Sequence, residues 1–239
     1  MTTETVALVT GANKGLGRET VRRLARQGWE VFLAARDSAR GAAAVDELAG
    51  EGVRARFVAL DVTSDESVAA AAAAVGAAVG RVDVLINNAA TGGPRTHPAV
   101  TGVDEVREVF ETNVFGPIRV IHGFLPLLRA SGHPRIVMVS SGMGSIPTVT
   151  DPRWKEYLQP MLGYPATKAA LNMLTTMYAL ALSDIRINAV DPGYTATDLN
   201  GHTGVQTVAE GTDAIVELAS IGPGGPTGAF FDRNGTVPW

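Results

Sequence analysis

Tyr164 and Lys168 stand four residues apart in Tyr-Pro-Ala-Thr-Lys, at the head of an apolar stretch running from Ala169 to Leu182. On a helix that spacing puts both side chains on one face, a turn apart. An ammonium beside a phenol favours the phenolate and so pushes the phenol towards ionisation. An ordinary tyrosine, with a pKa of about 10, exchanges protons poorly near neutrality until something lowers that value. The pair alone is equally compatible with a helix-surface tyrosine beside a solvated lysine. Its meaning depends on whether the chain also supplies a place for a cofactor.

The opposite end does. Thr5-Val-Ala-Leu-Val-Thr10 reads as a buried strand, followed by Gly11-Ala-Asn-Lys-Gly15-Leu-Gly17 and a helical pattern at Leu16, Thr20, Val21, Leu24 and Ala25. Strand, glycine-rich turn and helix form the dinucleotide cradle. The glycines let the backbone approach a pyrophosphate, and the free N–H groups at the helix start hold the anion. The spacing Gly-x-x-x-Gly-x-Gly departs from the commoner Gly-x-Gly-x-x-Gly.

These groups need a scaffold, and the rest of the chain reads as one. The 239 residues are 46% apolar, enough for a large core, and the whole of 1–239 is expected to be a single domain. A net charge of −4 gives no basic footprint for nucleic acid. With no cysteine, disulfides and thiolate metal or redox sites are excluded, and no histidine spacing resembles a zinc site. The chain opens directly into a strand without a signal peptide, and no apolar run reaches about 18 residues. A soluble, cytoplasmic protein without membrane partners is therefore expected.

Strand-like and helix-like segments alternate throughout, the mark of βαβ units and a mostly parallel sheet, hence an α/β fold. After the first unit, strands are expected at 30–35, 53–60, 82–87, 135–140 and 186–190. Helices are expected at 38–51, 64–79 and 166–182. Residues 104–110 and 114–129 read as a broken helical hairpin, 205–220 as a final helix, and 228–231 as a short edge strand.

Taken together, Thr10-Gly-Ala-Asn-Lys-Gly-Leu-Gly17, Asp61-Val62, Asn87-Asn-Ala-Ala90, Asn113, Ser140-Ser141, Tyr164-x-x-x-Lys168 and Pro192-Gly193 resemble the short-chain dehydrogenase/reductase family, in its compact single-domain form. The resemblance covers nearly the whole chain, in the family's order. It implies a Rossmann-type, doubly wound parallel sheet of about seven strands with helices on both faces. It also implies a catalytic tetrad of Asn113, Ser141, Tyr164 and Lys168. Tyr164 would donate a proton to a carbonyl oxygen and accept one in reverse. Lys168 would lower the tyrosine pKa and bind the nicotinamide ribose. Ser141, the second serine of its pair, would hydrogen-bond the same oxygen. Asn113 would hold a water linking Lys168 to solvent, unless it is an asparagine satisfying backbone groups at a helix kink.

The cofactor contacts implied are Gly11, Asn13, Lys14, Gly15, Leu16 and Gly17 at the pyrophosphate turn, Asp61 and Val62 at the adenine, and Asn87 with Ala89 beside the adenosine ribose. Tyr164 and Lys168 join them, with Pro192, Gly193, Thr195 and Thr197 at the nicotinamide carboxamide. The second strand ends Ala34-Ala35-Arg36-Asp37. A small residue stands where an acid would hold a ribose 2′-hydroxyl, and Arg36 offers a planar fork for a 2′-phosphate. Lys14 is a second nearby cation. NADP(H) is therefore expected over NAD, although a register shift of one or two residues would make Asp37 an NAD-type carboxylate.

Ser141 and Tyr164 are 23 positions apart, farther than in compact members. The insertion, at about 143–163, carries Pro147, Pro152, Trp154, Tyr157, Pro160, Met161 and Leu162, and resembles the carbonyl-reductase branch. There it covers a helix face through which other members associate, so a monomer is expected over a dimer or tetramer. Met143, Trp154, Met161 and Tyr194 imply an apolar pocket for a small carbonyl or alcohol substrate; His97 and His202 lie in the flanking loops. Two other functions remain open. A sugar-nucleotide epimerase or dehydratase needs a substrate lobe, for which the 46 residues after Gly193 leave little room. A non-catalytic NADP sensor would be expected to have lost Tyr164 or Lys168.

Overall fold

Side-chain alternation along buried strands sets the two faces of the sheet. In the computed structural model, which describes residues 4–154 and 160–239, Val6 and Leu8 of strand β1 (Val6–Val9) join one apolar cluster, while Ala7 and Val9 join another. Strands β2 (Glu30–Ala35), β3 (Arg56–Ala59), β4 (Val84–Asn87), β5 (Arg135–Val139), β6 (Arg186–Val190) and β7 (Phe230–Asp232) complete the parallel sheet in the order β3-β2-β1-β4-β5-β6-β7. The two-residue β8 (Gly235–Thr236) pairs antiparallel with β7.

One face is covered by helices α1 (Gly15–Arg26), α2 (Ser38–Gly50) and α9 (Asp213–Ala219), which contribute Val21, Leu24, Leu48, Ile215 and Leu218. The other is covered by α3 (Asp65–Val79), α5 (Gly116–Arg129) and α7 (Gly163–Ala181), with Val75, Phe124, Leu128 and Leu171. Strand order reverses at β1, between β2 and β4. That is the topological switch point, and in open α/β sheets the crevice past the carboxyl ends of the strands there is where ligands bind.

Several expectations need correction. The parallel sheet has the seven strands expected, but β7 is not an edge strand, because among the described residues the two-residue β8 covers its outer side. Residues 104–110 and 114–129 form no hairpin. Helix α4 (Val103–Phe110) runs through one π-helical turn, Glu111–Phe115, into α5 without reversing. The expected final helix is two: α8 (Val208–Gly211), capped by Thr207 accepting from the Glu210 N–H, and then α9. Within the insertion lie a short helix α6 (Ile146–Thr150) and a 3-10 turn, Pro152–Trp154. Tyr157 and the side chain of Trp154 fall outside the described residues.

Candidate active site

The carboxyl ends of β1, β4, β5 and β6 bring the expected residues to one edge of the sheet. At β1, Thr10 is buried, and its hydroxyl oxygen accepts from the N–H groups of Asn88 and Ala89 at 3.0 Å each. The Asn88 amide in turn donates to the carbonyls of Thr10, at 2.8 Å, and Gly11, at 3.2 Å. Gly11 has φ +61°, and a β-carbon there would lie 2.8 Å from the Ala89 Cα, so only glycine fits where the β1 and β4 exits touch. Thr10 and Asn88 thus lock the glycine turn. The Asn87-Asn-Ala-Ala pattern pointed to this neighbourhood, but the locking residue is the second asparagine. Asn87 itself is buried, with its amide directed at the Met138 sulfur.

Helix α1 begins at Gly15 with no side-chain cap and no acidic residue in its first turn. Its leading N–H groups are thus available to an anion, which the positive end of the helix dipole also favours. Arg36 is exposed at the end of β2 and makes no ion pair among the described residues. Asp37 caps α2 by accepting from the Arg40 N–H at 3.0 Å and is ion-paired with the Arg40 side chain, which occupies it as a helix cap. Asp61 is partly buried, which opposes its charge, yet the Thr63 N–H and hydroxyl, with the field of Arg36, hold its carboxyl below the usual range. Val62 is buried against Gly116.

Lys14 is not free: its Nζ donates to Asp198 Oδ2 at 2.6 Å, and Asp198 also meets His202 Nε2 at 2.7 Å. This strap joins the glycine turn to the segment following β6. Thr197 sits in that segment, with its methyl 3.6 Å from where a Gly15 side chain would begin. Thr195 is buried, its hydroxyl donating to the Pro192 carbonyl at 2.9 Å and its N–H to Gly193. Both of its donors are thus engaged within the turn.

Ser140 and Ser141 separate clearly. Ser140 is buried and donates to Asn172 Oδ1 at 2.5 Å. Ser141 is half-buried, and its hydroxyl faces the Tyr164 phenol, drawing the phenol's pKa down. Lys168 is 2% exposed; its Nζ donates to the Val139 carbonyl at 2.8 Å and lies 5.4 Å from the centre of the Tyr164 ring. Burial pushes the Lys168 ammonium down to about 8 and the Tyr164 phenol up to about 12. The net direction for Tyr164 is therefore upward, not the acidified phenol expected, because its own desolvation is the largest cause.

Asn113 lies in the π-helical turn, a geometry frequent at functional sites. It is buried, accepts from the Thr91 N–H at 2.9 Å, and donates to the Thr91 carbonyl at 2.9 Å and the Thr167 hydroxyl at 3.1 Å. Both amide hydrogens are thus engaged with protein, tying the loop after β4 to the first turn of α7.

One group went unnoticed in the sequence. Asp191, directly before Pro192-Gly193, accepts from the Gly193 N–H at 2.9 Å, and its carboxylate acts electrostatically on both Tyr164 and Lys168. Of the residues expected to wall the substrate, Met143 and Met161 are half-buried and Tyr194 is exposed, as is Leu199.

A family model described as short chain dehydrogenase matches residues 5–207. Short-chain dehydrogenase/reductase 1 of Saponaria officinalis is 34% identical, with 98% of this chain and 95% of that protein covered. Carbonyl reductase [NADPH] 1 of Rattus norvegicus is 31% identical over 98% of each chain. The crystal structure of NADPH-bound carbonyl reductase from chicken fatty liver superposes with a TM-score of 0.87 at 30% identity, covering 99% of both chains. The chain belongs to the short-chain dehydrogenase family and is an oxidoreductase of carbonyl-reductase-like type.

Proposed function

We propose that this protein is an NADP(H)-dependent reductase of a small carbonyl compound, working reversibly on the corresponding alcohol, with Tyr164 as its general acid and base. The observation that carries this reading is buried Lys168 held over the ring of half-buried Tyr164, whose phenol half-buried Ser141 faces, in a chain whose glycine turn leads into an uncapped α1 N-terminus. The NADPH named for the rat and chicken relatives supports the coenzyme.

The leading N–H groups of α1 would hold the pyrophosphate, Arg36 the 2′-phosphate, Asp61 and Val62 the adenine, and Asn87 and Ala89 the adenosine ribose. Asn13 and Lys14 flank the phosphates, and Pro192, Gly193 and Thr197 border the nicotinamide. When bound, the reduced coenzyme supplies the hydride. As negative charge grows on the substrate oxygen, Ser141 donates a hydrogen bond to it and Tyr164 delivers a proton. A phenol held near 12 remains protonated throughout the neutral range, so the donor form is always populated. The Lys168 ammonium stabilises the phenolate left behind. Asn113 fixes the first turn of α7, and the main-chain groups of the π-helical turn are the place for a water that returns the proton.

Half-buried Met143 and Met161 support an apolar substrate. The insertion supports a monomer. Exposed Met173, Met177 and Leu180 on α7 mark where copies would meet instead, and light scattering after size exclusion distinguishes the two. No helix among the described residues is long and apolar enough to cross a membrane, and we place the protein in the cytoplasm.

The test is oxidation of NADPH and NADH against a panel of aldehydes and ketones, with wild type beside Tyr164→Phe. Turnover by wild type with NADPH, lost in the variant while NADPH affinity stays, is the expected result. Tight NADPH binding without turnover of any carbonyl would mark a sensor instead.

A further inference from the structure

Past the end of β6, Asp191 presents a carboxylate that the steps above leave unused. Its position is fixed by the sheet. Val190 accepts from the Ser140 N–H at 2.7 Å, and the Asp191 N–H donates to the Phe231 carbonyl at 2.7 Å, so the residue is held between the ends of β5 and β7. Oδ1 accepts from the Gly193 N–H at 2.9 Å. Oδ2 lies 2.8 Å from where a Gly142 side chain would begin, so the carboxylate packs directly against the Gly142 backbone, whose N–H favours its charge. One side chain therefore joins the turn carrying Ser141 to the Pro192-Gly193 turn. Lys168 is anchored on the carbonyl of Val139, whose sheet partner is Val190, the residue before Asp191. Cation and carboxylate thus stand at the ends of adjacent paired strands.

We propose that Asp191 is a positioning residue for the reaction: its carboxylate locks the Ser141 and Gly193 turns together and supplies the buried negative charge that keeps Lys168 an ammonium and Tyr164 a phenol. The inference rests on the catalytic reading of Tyr164 and Lys168. Burial lowers the Lys168 ammonium and Asp191 pulls it part of the way back, to about 8; burial raises Tyr164, and Asp191 adds to that rise. The groups facing Asp191 are Lys168 and Tyr164 from α7, Asp232 from β7, and the N–H groups of Gly142 and Gly193. Its own carboxyl is raised by burial and by Asp232, against the pull of Gly193, Gly142 and Lys168. Activity should therefore fall on the acid side as Asp191 protonates, and on the alkaline side as Lys168 loses its proton.

The experiment is the pH profile of kcat for NADPH-dependent carbonyl reduction in wild type, Asp191→Asn and Asp232→Asn, with NADPH affinity measured by fluorescence. In Asp191→Asn the alkaline limb should move to lower pH by about one unit, read as about tenfold lower kcat on that limb, because the charge supporting the ammonium is gone. In Asp232→Asn the acid limb should move to lower pH, because Asp191 then ionises more easily. A folded, active Asp191→Asn with its alkaline limb unmoved overturns the inference. Should that variant not fold, an unmoved acid limb in Asp232→Asn overturns it equally. Tyr164→Phe separates this from the parent reading. If that variant keeps wild-type turnover, the catalytic assignment itself fails; if it is dead and the limbs do not move, only the role of Asp191 fails.

Discussion

Replacing Lys168 by methionine should abolish turnover and, at neutral pH, make the protein more stable. The ammonium is 2% exposed, and burial takes its pKa from 10.5 to about 8. At about 1.4 kcal/mol per decade, carrying that charge in the folded state costs about 3 kcal/mol below pH 8. Methionine keeps the apolar stem but leaves the Val139 carbonyl without the Nζ donor now 2.8 Å away, a loss of about 1–2 kcal/mol. The balance, about 1–2 kcal/mol in favour of methionine, corresponds to a Tm rise of about 3–6 °C for a chain of this size. The sign should then change with pH. Between 8 and 10.5 the unfolded lysine still holds a proton that the folded one has lost, so wild-type stability rises with pH through that window. Tyr164, raised from 10.0 to about 12, leaves stability untouched below pH 10 and lowers it above, where only the unfolded tyrosine ionises. Calorimetric melts of both proteins from pH 6.5 to 10 should therefore show the methionine advantage shrinking and then reversing. A methionine variant less stable than wild type at pH 7, with a constant gap up to pH 10, would refute the buried-charge argument.

The coenzyme assignment predicts opposite effects from two charges. Arg36→Ala should weaken NADPH far more than NADH, whereas Asp198→Asn, by releasing Lys14 from its 2.6 Å partner, should tighten NADPH with little change for NADH. Fluorescence titrations read both, and equal shifts for the two coenzymes would mean that neither cation reads the 2′-phosphate. Gly144→Ala would set a β-carbon 2.5 Å from the Lys168 carbonyl carbon and 2.8 Å from the Ala169 nitrogen. Helix α7 must then move off the turn after β5. Stability should drop by about 2–3 kcal/mol by denaturant titration, with kcat falling much further than NADPH affinity.

The glycine turn and the Tyr-x-x-x-Lys pair were legible because local pattern determines them. A strand must end in a tight turn before α1, and a four-residue step on α7 fixes one face whatever surrounds it. The start of the last helical segment after Thr207, not at 205, was also written locally, in Thr207-x-x-Glu210, whose reciprocal bonds start α8. A capping box inside an apolar run marks a helix start rather than a helix interior. What local pattern does not carry is which charge prevails once side chains are buried. Proximity of Lys168 argued for an acidified Tyr164, but the Val139 carbonyl holds the ammonium over the ring and desolvation sets the direction. Asp191 escaped notice for the same reason. Its neighbours Gly142, Lys168 and Asp232 come from three other elements, and they meet only because β5, β6 and β7 end side by side. Its sequence position before Pro192-Gly193 marks a turn, whereas its influence on Tyr164 and Lys168 arises from sheet order. A substitution at Asp191 therefore tests tertiary electrostatics, where one at Tyr164 tests a motif.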